Sequence, residues 1–245
     1  DLYEYRHQPQ YLPFRPEIFN ELDALFAISK DGEKYLTSKY HLLKDLIVVS
    51  HLGTGDPGSL SQPSDDGIIR ICSCSYLKPV KRVALLVEGL RFLSETHTEQ
   101  KFEWYHFGSG PLFDQIKSKI FYMPDNISCF LLGQVPNKKI LSFYSTKSID
   151  VFINTSESEG IPVSIMEAIS FGIPIIASDV GGIPEIVNNK NGILLDQNPS
   201  PLEIANAIWN ISKHDEHRNY RLNSRAIWEK SYNAEVNFEE FSDYL

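Results

Sequence analysis

The stretch IDVFINTSESEGIPVSIMEAISFGIPIIASDVGGIPE, residues 149–185, decides the fold. It opens with a short apolar run, IDVFINT, of a length that suits a buried strand. A second such run, IPIIAS, follows the segment PVSIMEAISF, whose apolar residues recur at helical spacing. Strand, helix, strand is a βαβ unit, and its two strands belong to a parallel sheet. Pro162 suits the first position of a helix, where its missing N–H costs nothing. The pattern therefore predicts a helix from Pro162 to about Phe171, stopped by Gly172. Its tip carries free N–H groups and a partial positive charge. With Gly160 just ahead of it, the tip is a natural anion seat.

Two carboxylates frame that seat. Glu159 lies in the loop before the helix, and Glu167 lies within it, with seven residues between them. A carboxylate beside an anion seat repels the anion. It makes sense where the Glu takes hydroxyls of a sugar next to a phosphate, since bonds to a charged group are worth about 1.5–3 kcal/mol. An arbitrary Glu is a solvated surface charge; the Gly and Pro frame around these two argues otherwise.

Outward from this stretch the alternation continues. Toward the N-terminus lie GIIRICSCS (strand), VKRVALLVEGLRFLSETH (helix), FEWYHFG (strand), PLFDQIKSKI (helix), ISCFLLG (strand) and NKKILSFYST (helix). Toward the C-terminus come a short helix IPEIV, the strand GILLD, and a segment from about residue 199 that reads as helix to the end. The fold class is α/β, a doubly wound, mostly parallel, Rossmann-like sheet. Ligands bind such sheets beyond the carboxyl ends of the strands. That gathers SYLKPVK, GSGP, GQVPN, SESEGIP and SDVGG at one cleft. Lys78, Lys81 and Arg82 offer positive charge there; taken alone, each is an ordinary solvated lysine or arginine at a helix start. His106 ends a strand near the cleft and reads as a packed or hydrogen-bonded histidine.

The first 53 residues carry two more strands, LDALFAIS and DLIVVSHLG, around the helix KDGEKYLTSKYH, after an aromatic and proline-rich start. TGDPGSLSQPSDDG, residues 54–67, is dense in Gly, Pro, Ser and Asp and reads as a linker.

Bulk properties exclude several classes. The net charge of −9 over 245 residues argues against a protein living on nucleic acid, which needs a basic face. Three cysteines, Cys72, Cys74 and Cys129, are no disulfide framework. Cys72 and Cys74 share one face of a strand, where they read as small core residues rather than metal ligands. No apolar run of about 18 residues encodes a membrane span, and the start is no signal peptide. A cytoplasmic, reduced protein fits, and the sequons at Asn126, Asn154 and Asn210 then read as chance.

These residues together resemble the retaining glycosyltransferases of family four, which have the GT-B architecture of two facing Rossmann-like domains. The resemblance runs from about residue 20 to the end and rests on SYLKPVKRVALLVEGL, HFGSGPL, FLLGQVPNKKILSFY and, most specifically, SESEGIPVSIMEAISFGIPIIASDVGGIPEIV. It implies a nucleotide-sugar donor site with no metal and no separate cofactor. Glu159 would hold the donor sugar and carry catalysis, and Glu167 the ribose hydroxyls. Lys81 would pair with the diphosphate, which the backbone of Gly160, Ile161, Pro162 and Val163 would meet. The turn at Gln134, Val135 and Asn137 would edge the base, and Gly108 and Gly110 would let the backbone pass close to the nucleotide. Two departures stand out. The arginine of the family pattern falls on Tyr76, so Arg82 or Lys78 is the candidate replacement, and the family's Asp between two glycines is Ser109.

The resemblance also implies domain limits. Residues 1–53 would be the end of an acceptor domain, 54–67 a linker, 68–230 the donor-binding domain, and 231–245 a helix crossing back. The expected activity is transfer of a hexosyl group from a nucleoside diphosphate sugar, with UDP the first choice, to a glycan or lipid-linked acceptor in surface polysaccharide or lipopolysaccharide synthesis. The chain would then be a truncated donor half, inactive alone, with peripheral attachment at the inner membrane face left to the missing N-terminal domain. Residues 1–18 would have lost their packing partners. Two rivals remain. A sugar-nucleotide epimerase of this architecture needs an acid–base pair that is not visible, and a non-catalytic nucleotide-binding module needs Lys81 and the helix tip but not Glu159.

Overall fold

Two parallel sheets of different size organise the chain. The computed structural model describes residues 14–41, 44–213 and 217–244. The first unit holds α1 (Arg15–Asn20), β1 (Leu25–Ala27), α2 (Lys30–Lys39) and β2 (Ile47–Val49). β1 and β2 pair in parallel around a small core of Phe19, Ala27, Leu36 and Ile47. Of the aromatic start, residues 1–13 lie outside the described residues; Phe14 and Ile18 are exposed.

The second unit contains β3 (Ile68–Cys74), α3 (Val83–Thr96), β4 (Lys101–Phe107), α4 (Phe113–Ile120), β5 (Ile127–Leu131), α5 (Asn137–Thr146), β6 (Val151–Asn154), α6 (Val163–Ser170), β7 (Ile175–Ser178), α7 (Ile183–Ile186), β8 (Gly192–Leu195), α8 (Pro201–Lys213) and α9 (His217–Ser231). Its six strands are all parallel, in the order β5-β4-β3-β6-β7-β8. Every residue of β6 and β7 is buried, as two-sided cover by helices requires. Alternate residues feed two cores. Ile69, Ile71, Phe102 and Trp104 pack with α3 and α8 on one face, while Cys72, Tyr105, Phe152 and Ile175 pack with α6 and α9 on the other. Cys72 and Cys74 share that second face, as the strand reading predicts.

Three local expectations are corrected. The helix after β3 does not run through Lys81 and Arg82: a 3-10 turn at Pro79–Lys81 and a left-handed Arg82 precede α3. Pro162 is the cap of α6 rather than its first residue; its backbone is extended, and its carbonyl accepts from Ile165 N and Met166 N. The C-terminal segment is not one helix, because Tyr232 and Asn233 separate α9 from α10 (Ala234–Tyr244).

Segment 54–67 is laid along the large unit by hydrogen bonds. Ser61 N reaches Phe171 O, Ile149 N reaches Gln62 O, and Trp228 Nε1 donates to Thr54 Oγ1 at 2.8 Å. α10 returns to the first unit, where Phe241 and Tyr244 meet Phe26 of β1 at ring distances of 4.7 and 5.1 Å.

Candidate active site

Strand order fixes where a ligand can meet the large sheet. From β3 the chain moves outward to β4 and β5, returns to the other side of β3, and moves outward again through β6, β7 and β8. The loops leaving β3 and β6 therefore diverge and open a crevice at the carboxyl ends of those strands.

Lys81 comes from the β3 loop and Glu159 from the β6 loop. Lys81 Nζ donates to Glu159 Oε1 at 2.5 Å, with the two side chains 20% and 11% exposed. Asn154, the last residue of β6, donates to the same oxygen at 3.4 Å and accepts Ser156 N at 2.9 Å. A largely buried carboxylate is thus held by an ammonium and an amide before any ligand arrives, which is the condition for keeping such a charge out of water.

Arg82 is tied into two neighbouring loops. Its φ of 47° costs a non-glycine residue about 1–2 kcal/mol. Four hydrogen bonds hold it there: to Thr155 O at 2.9 Å, Ser156 O at 2.8 Å, Gln197 O at 2.7 Å and Asn198 Oδ1 at 3.1 Å. Burial holds its guanidinium below the usual arginine range. Arg82 ties the loops together, Lys78 and Tyr76 are exposed, and Lys81 is the cation of the three that reaches Glu159.

The tip of α6 is open. Among the described residues, Val163 N and Ser164 N have no hydrogen-bond partner, and Val163 is 48% exposed. Ile161 and Pro162 are buried, Ile161 in the core under α6. Gly160 sits against Ile28 of the first unit. Gly181, at φ +55°, lies where a Cβ would come within 2.0 Å of Glu159 O; only glycine lets this loop close against the Glu159 backbone. Gly182 packs likewise on Ile161 and Gly160 O.

Glu167 faces another part of the crevice. Its Oε1 accepts Asn137 Nδ2 at 2.7 Å from the start of α5, and burial raises its pKa. Cys74, at the head of β3, lies between the two carboxylates' neighbourhoods; burial first, and then Glu167, pushes its thiol up to about 11 against the opposing pull of Lys81. Val135 is half-buried against the core beside Asn137, and Gln134 is exposed.

Gly108 and Gly110 have a packing task. A Cβ at Gly108, φ +134°, would meet Ser75 O at 1.9 Å, and one at Gly110 would meet Leu77 O at 2.6 Å. Both glycines let the β4 loop lie against the β3 loop that carries Lys81. His106 braces the same loop. Trp104 Nε1 donates to Ser73 Oγ at 2.9 Å, Ser73 Oγ meets His106 Nδ1 at 2.9 Å, and His106 Nε2 meets Ser75 O at 3.2 Å. A neutral ring protonated at Nε2 satisfies every atom of this chain, and burial lowers its pKa to about 4.

The crevice floor between the strand heads is lined by Ser73, Cys74, Ser75, Lys81, Asn154, Thr155 and Ser156. A roomier hollow of about 480 Å³, lined by Leu60, Pro63, Phe171, His217, Arg221 and Leu222, lies at the other end of the strands and shares no residue with it.

The family model for glycosyl transferases group 1 matches residues 59–226. The chain belongs to that family. The amylovoran biosynthesis glycosyltransferase AmsK of Erwinia amylovora is 26% identical over 241 residues, covering 94% of this chain and 58% of AmsK. The GtfA subunit of the Streptococcus agalactiae UDP-N-acetylglucosamine–peptide N-acetylglucosaminyltransferase is 30% identical over 228 residues, 86% of this chain and 44% of that protein. The solved structure of Anabaena HepE in complex with UDP and glucose superposes with a TM-score of 0.78 at 18% identity, over 100% of this chain and 69% of HepE. That likeness establishes the shared fold. The chain spans about half the length of the curated relatives it matches.

Sequence reading had not found Asn154, the loop-tying role of Arg82, or Glu185 of α7. A polar residue closing the apolar strand VFIN was a visible signal for Asn154. The others act on partners 73 to 155 residues away, and no local pattern shows such contacts.

Proposed function

We propose that this chain is the donor-binding half of a retaining glycosyltransferase of family four, which moves a hexosyl group from a UDP-sugar to a glycan or lipid-linked hydroxyl in surface polysaccharide synthesis. The observation that carries this reading is the open amide tip of α6 beside the Lys81–Glu159 pair, at the reversal of strand order. In support, HepE was solved with UDP and glucose, and AmsK and the Escherichia coli colanic acid biosynthesis glycosyltransferase WcaL are named for polysaccharide synthesis.

The diphosphate rests on Val163 N and Ser164 N, with Lys81 as its counter-ion. As the bond from sugar to phosphate breaks, negative charge grows on the leaving phosphate, where the ammonium and amides already point. Glu159 takes hydroxyls of the sugar and Glu167 takes those of the ribose, while Val135 edges the base. Residues 68–230 form the donor-binding domain, 54–67 the linker, 1–53 the end of an acceptor domain, and 231–245 a helix crossing back to that domain. That domain would supply the acceptor site and any contact with a membrane face. Among the described residues, no helix is long and apolar enough to cross a membrane.

A thermal-shift panel of UDP, GDP, ADP and their hexose conjugates tests the reading. At a hundred times Kd a binder adds about 2.7 kcal/mol, and each kcal/mol raises Tm by about 2–4 °C in a chain of this size. UDP and its sugars are expected to give that rise. A flat response to every nucleotide would overturn the proposal.

A further inference from the structure

Glu185 is a carboxylate that the donor site does not use. It lies in α7, just past the Gly181–Gly182 loop that packs beneath Glu159. Its two oxygens accept Asp31 N at 3.0 Å and Lys30 N at 2.9 Å, the first two amides of α2 in the other unit, 155 positions away in sequence. Ser29 Oγ accepts the third, Gly32 N, at 3.0 Å. The first turn of α2 is therefore capped in full, two-thirds of it by a residue of the large unit, with negative charge placed where the helix dipole favours it.

The surroundings mark this as the joint between the units. His51 Nε2 meets Glu185 Oε2 at 3.3 Å, and the His51 ring lies 5.4 Å from that of Tyr232. His51 and Tyr232 stand where the chain crosses between the units, and those two crossings are bonded to each other through Thr54 N to Tyr232 O and Ala234 N to Thr54 O. Ile28, one residue before the Ser29 cap, rests on Gly160. One contact thus fixes two things at once: the first unit against Gly160, and α7 with its glycine loop against Glu159.

We propose that Glu185 is a positioning residue, which by capping α2 across the joint holds the Glu159–Gly160 loop in register between the two units. Its bearing on transfer rests on the donor-site reading of Glu159; its effect on the loop does not.

Hydrogen exchange of single amides in this chain tests it. Glu185→Gln keeps the size of the side chain but removes its charge and one acceptor. Lys30→Pro removes one donor at a helix position where proline is at home, after a residue whose extended backbone already suits a following proline. Both variants are expected to speed exchange about tenfold at Glu157 and Ile183, whose amides flank the two loops and donate to Val80 O and Val180 O. Lys30→Pro should leave Tm nearly unchanged. The double variant should do no more than either single one, because both cut the same contact. Unaltered exchange at Glu157 and Ile183 in Lys30→Pro, or additive effects in the double variant, would overturn the proposal. Added UDP separates the two readings. Protection of Val163 and Ser164 in all variants supports the donor seat, and none in the wild type sinks that seat while the ligand-free comparison still decides Glu185.

Discussion

The two ends of the large sheet handle charge in opposite ways. At the amino ends of β3 and β6 the buried charged groups Arg70 and Asp150 are saturated. Arg70 donates to Glu103 at 2.8 Å, to both oxygens of Asp66 and to Ser64 Oγ. Asp150 accepts Ser64 N and Arg70 N at 2.8 and 2.7 Å, and Arg221 bonds Ile149 O and Ser61 O. At the carboxyl ends the α6 amides are open, and Lys81 spans two loops to reach Glu159. A site that must take up an anion keeps donors in reserve, while a structural end spends them on itself. The difference teaches where to look for chemistry: at polar groups whose bonding is unfinished, not at the densest charge network.

Changes at the two ends should therefore separate. The largest effect is expected for Glu159→Gln in the full-length enzyme: transfer falls by about 10²–10³ or more while UDP affinity stays put, as measured by turnover alongside calorimetry. Equal losses in both would break the contrast. At the other end, Arg70→Met should lower stability by about 3 kcal/mol, because Asp66 loses its guanidinium and half-buried Glu103 keeps only Lys147 at 3.4 Å and the Tyr105 hydroxyl, and should leave UDP affinity unchanged in the folded protein.

A third test uses a saturated group at the site end. His106 titrates near 4 when folded, below the ordinary value of 6.5, because burial disfavours its charged form. The unfolded chain thus takes the proton first. Stability is complete above pH 6.5 and is lost as pH falls from 6.5 toward 4, by about 3 kcal/mol at most. His217, also lowered by burial, acts in the same direction. His106→Asn should flatten the slope of Tm against pH across that window; an unchanged slope would remove the histidine from the account. Next in size, Lys81→Ala should weaken UDP binding about thirtyfold, roughly 2 kcal/mol, read by calorimetry. Smallest is Glu167→Gln. Burial raises the pKa of Glu167, so removing its charge should raise Tm by a degree or two while weakening the nucleotide, a trade between stability and function. A lower Tm would place Glu167 with the structural charges.

The same contrast explains what sequence could reveal. β6, α6 and β7 were legible because burial on both sides makes each one a clean apolar pattern, and Gly172 ends α6 where the helix was expected to stop. The limits of α5 match the segment NKKILSFYST. The start of α3 was not legible, because Arg82 takes a left-handed conformation for bonds to residues 155–156 and 197–198, far along the chain. Glu159 and Glu167 stood out through their glycine frame. Glu185 carried no such mark, since its task is to hold amides of a distant helix.

The central claim is that a nucleoside diphosphate rests its phosphates on the first amides of α6. Amide NMR of the labelled chain during a UDP titration tests it most directly. The account predicts that the Val163 and Ser164 resonances move most, saturate with one nucleotide per chain, and need about thirty times more UDP to move as far in Lys81→Ala. Saturating UDP shifts elsewhere on the molecule, with Val163 and Ser164 unmoved, would contradict it.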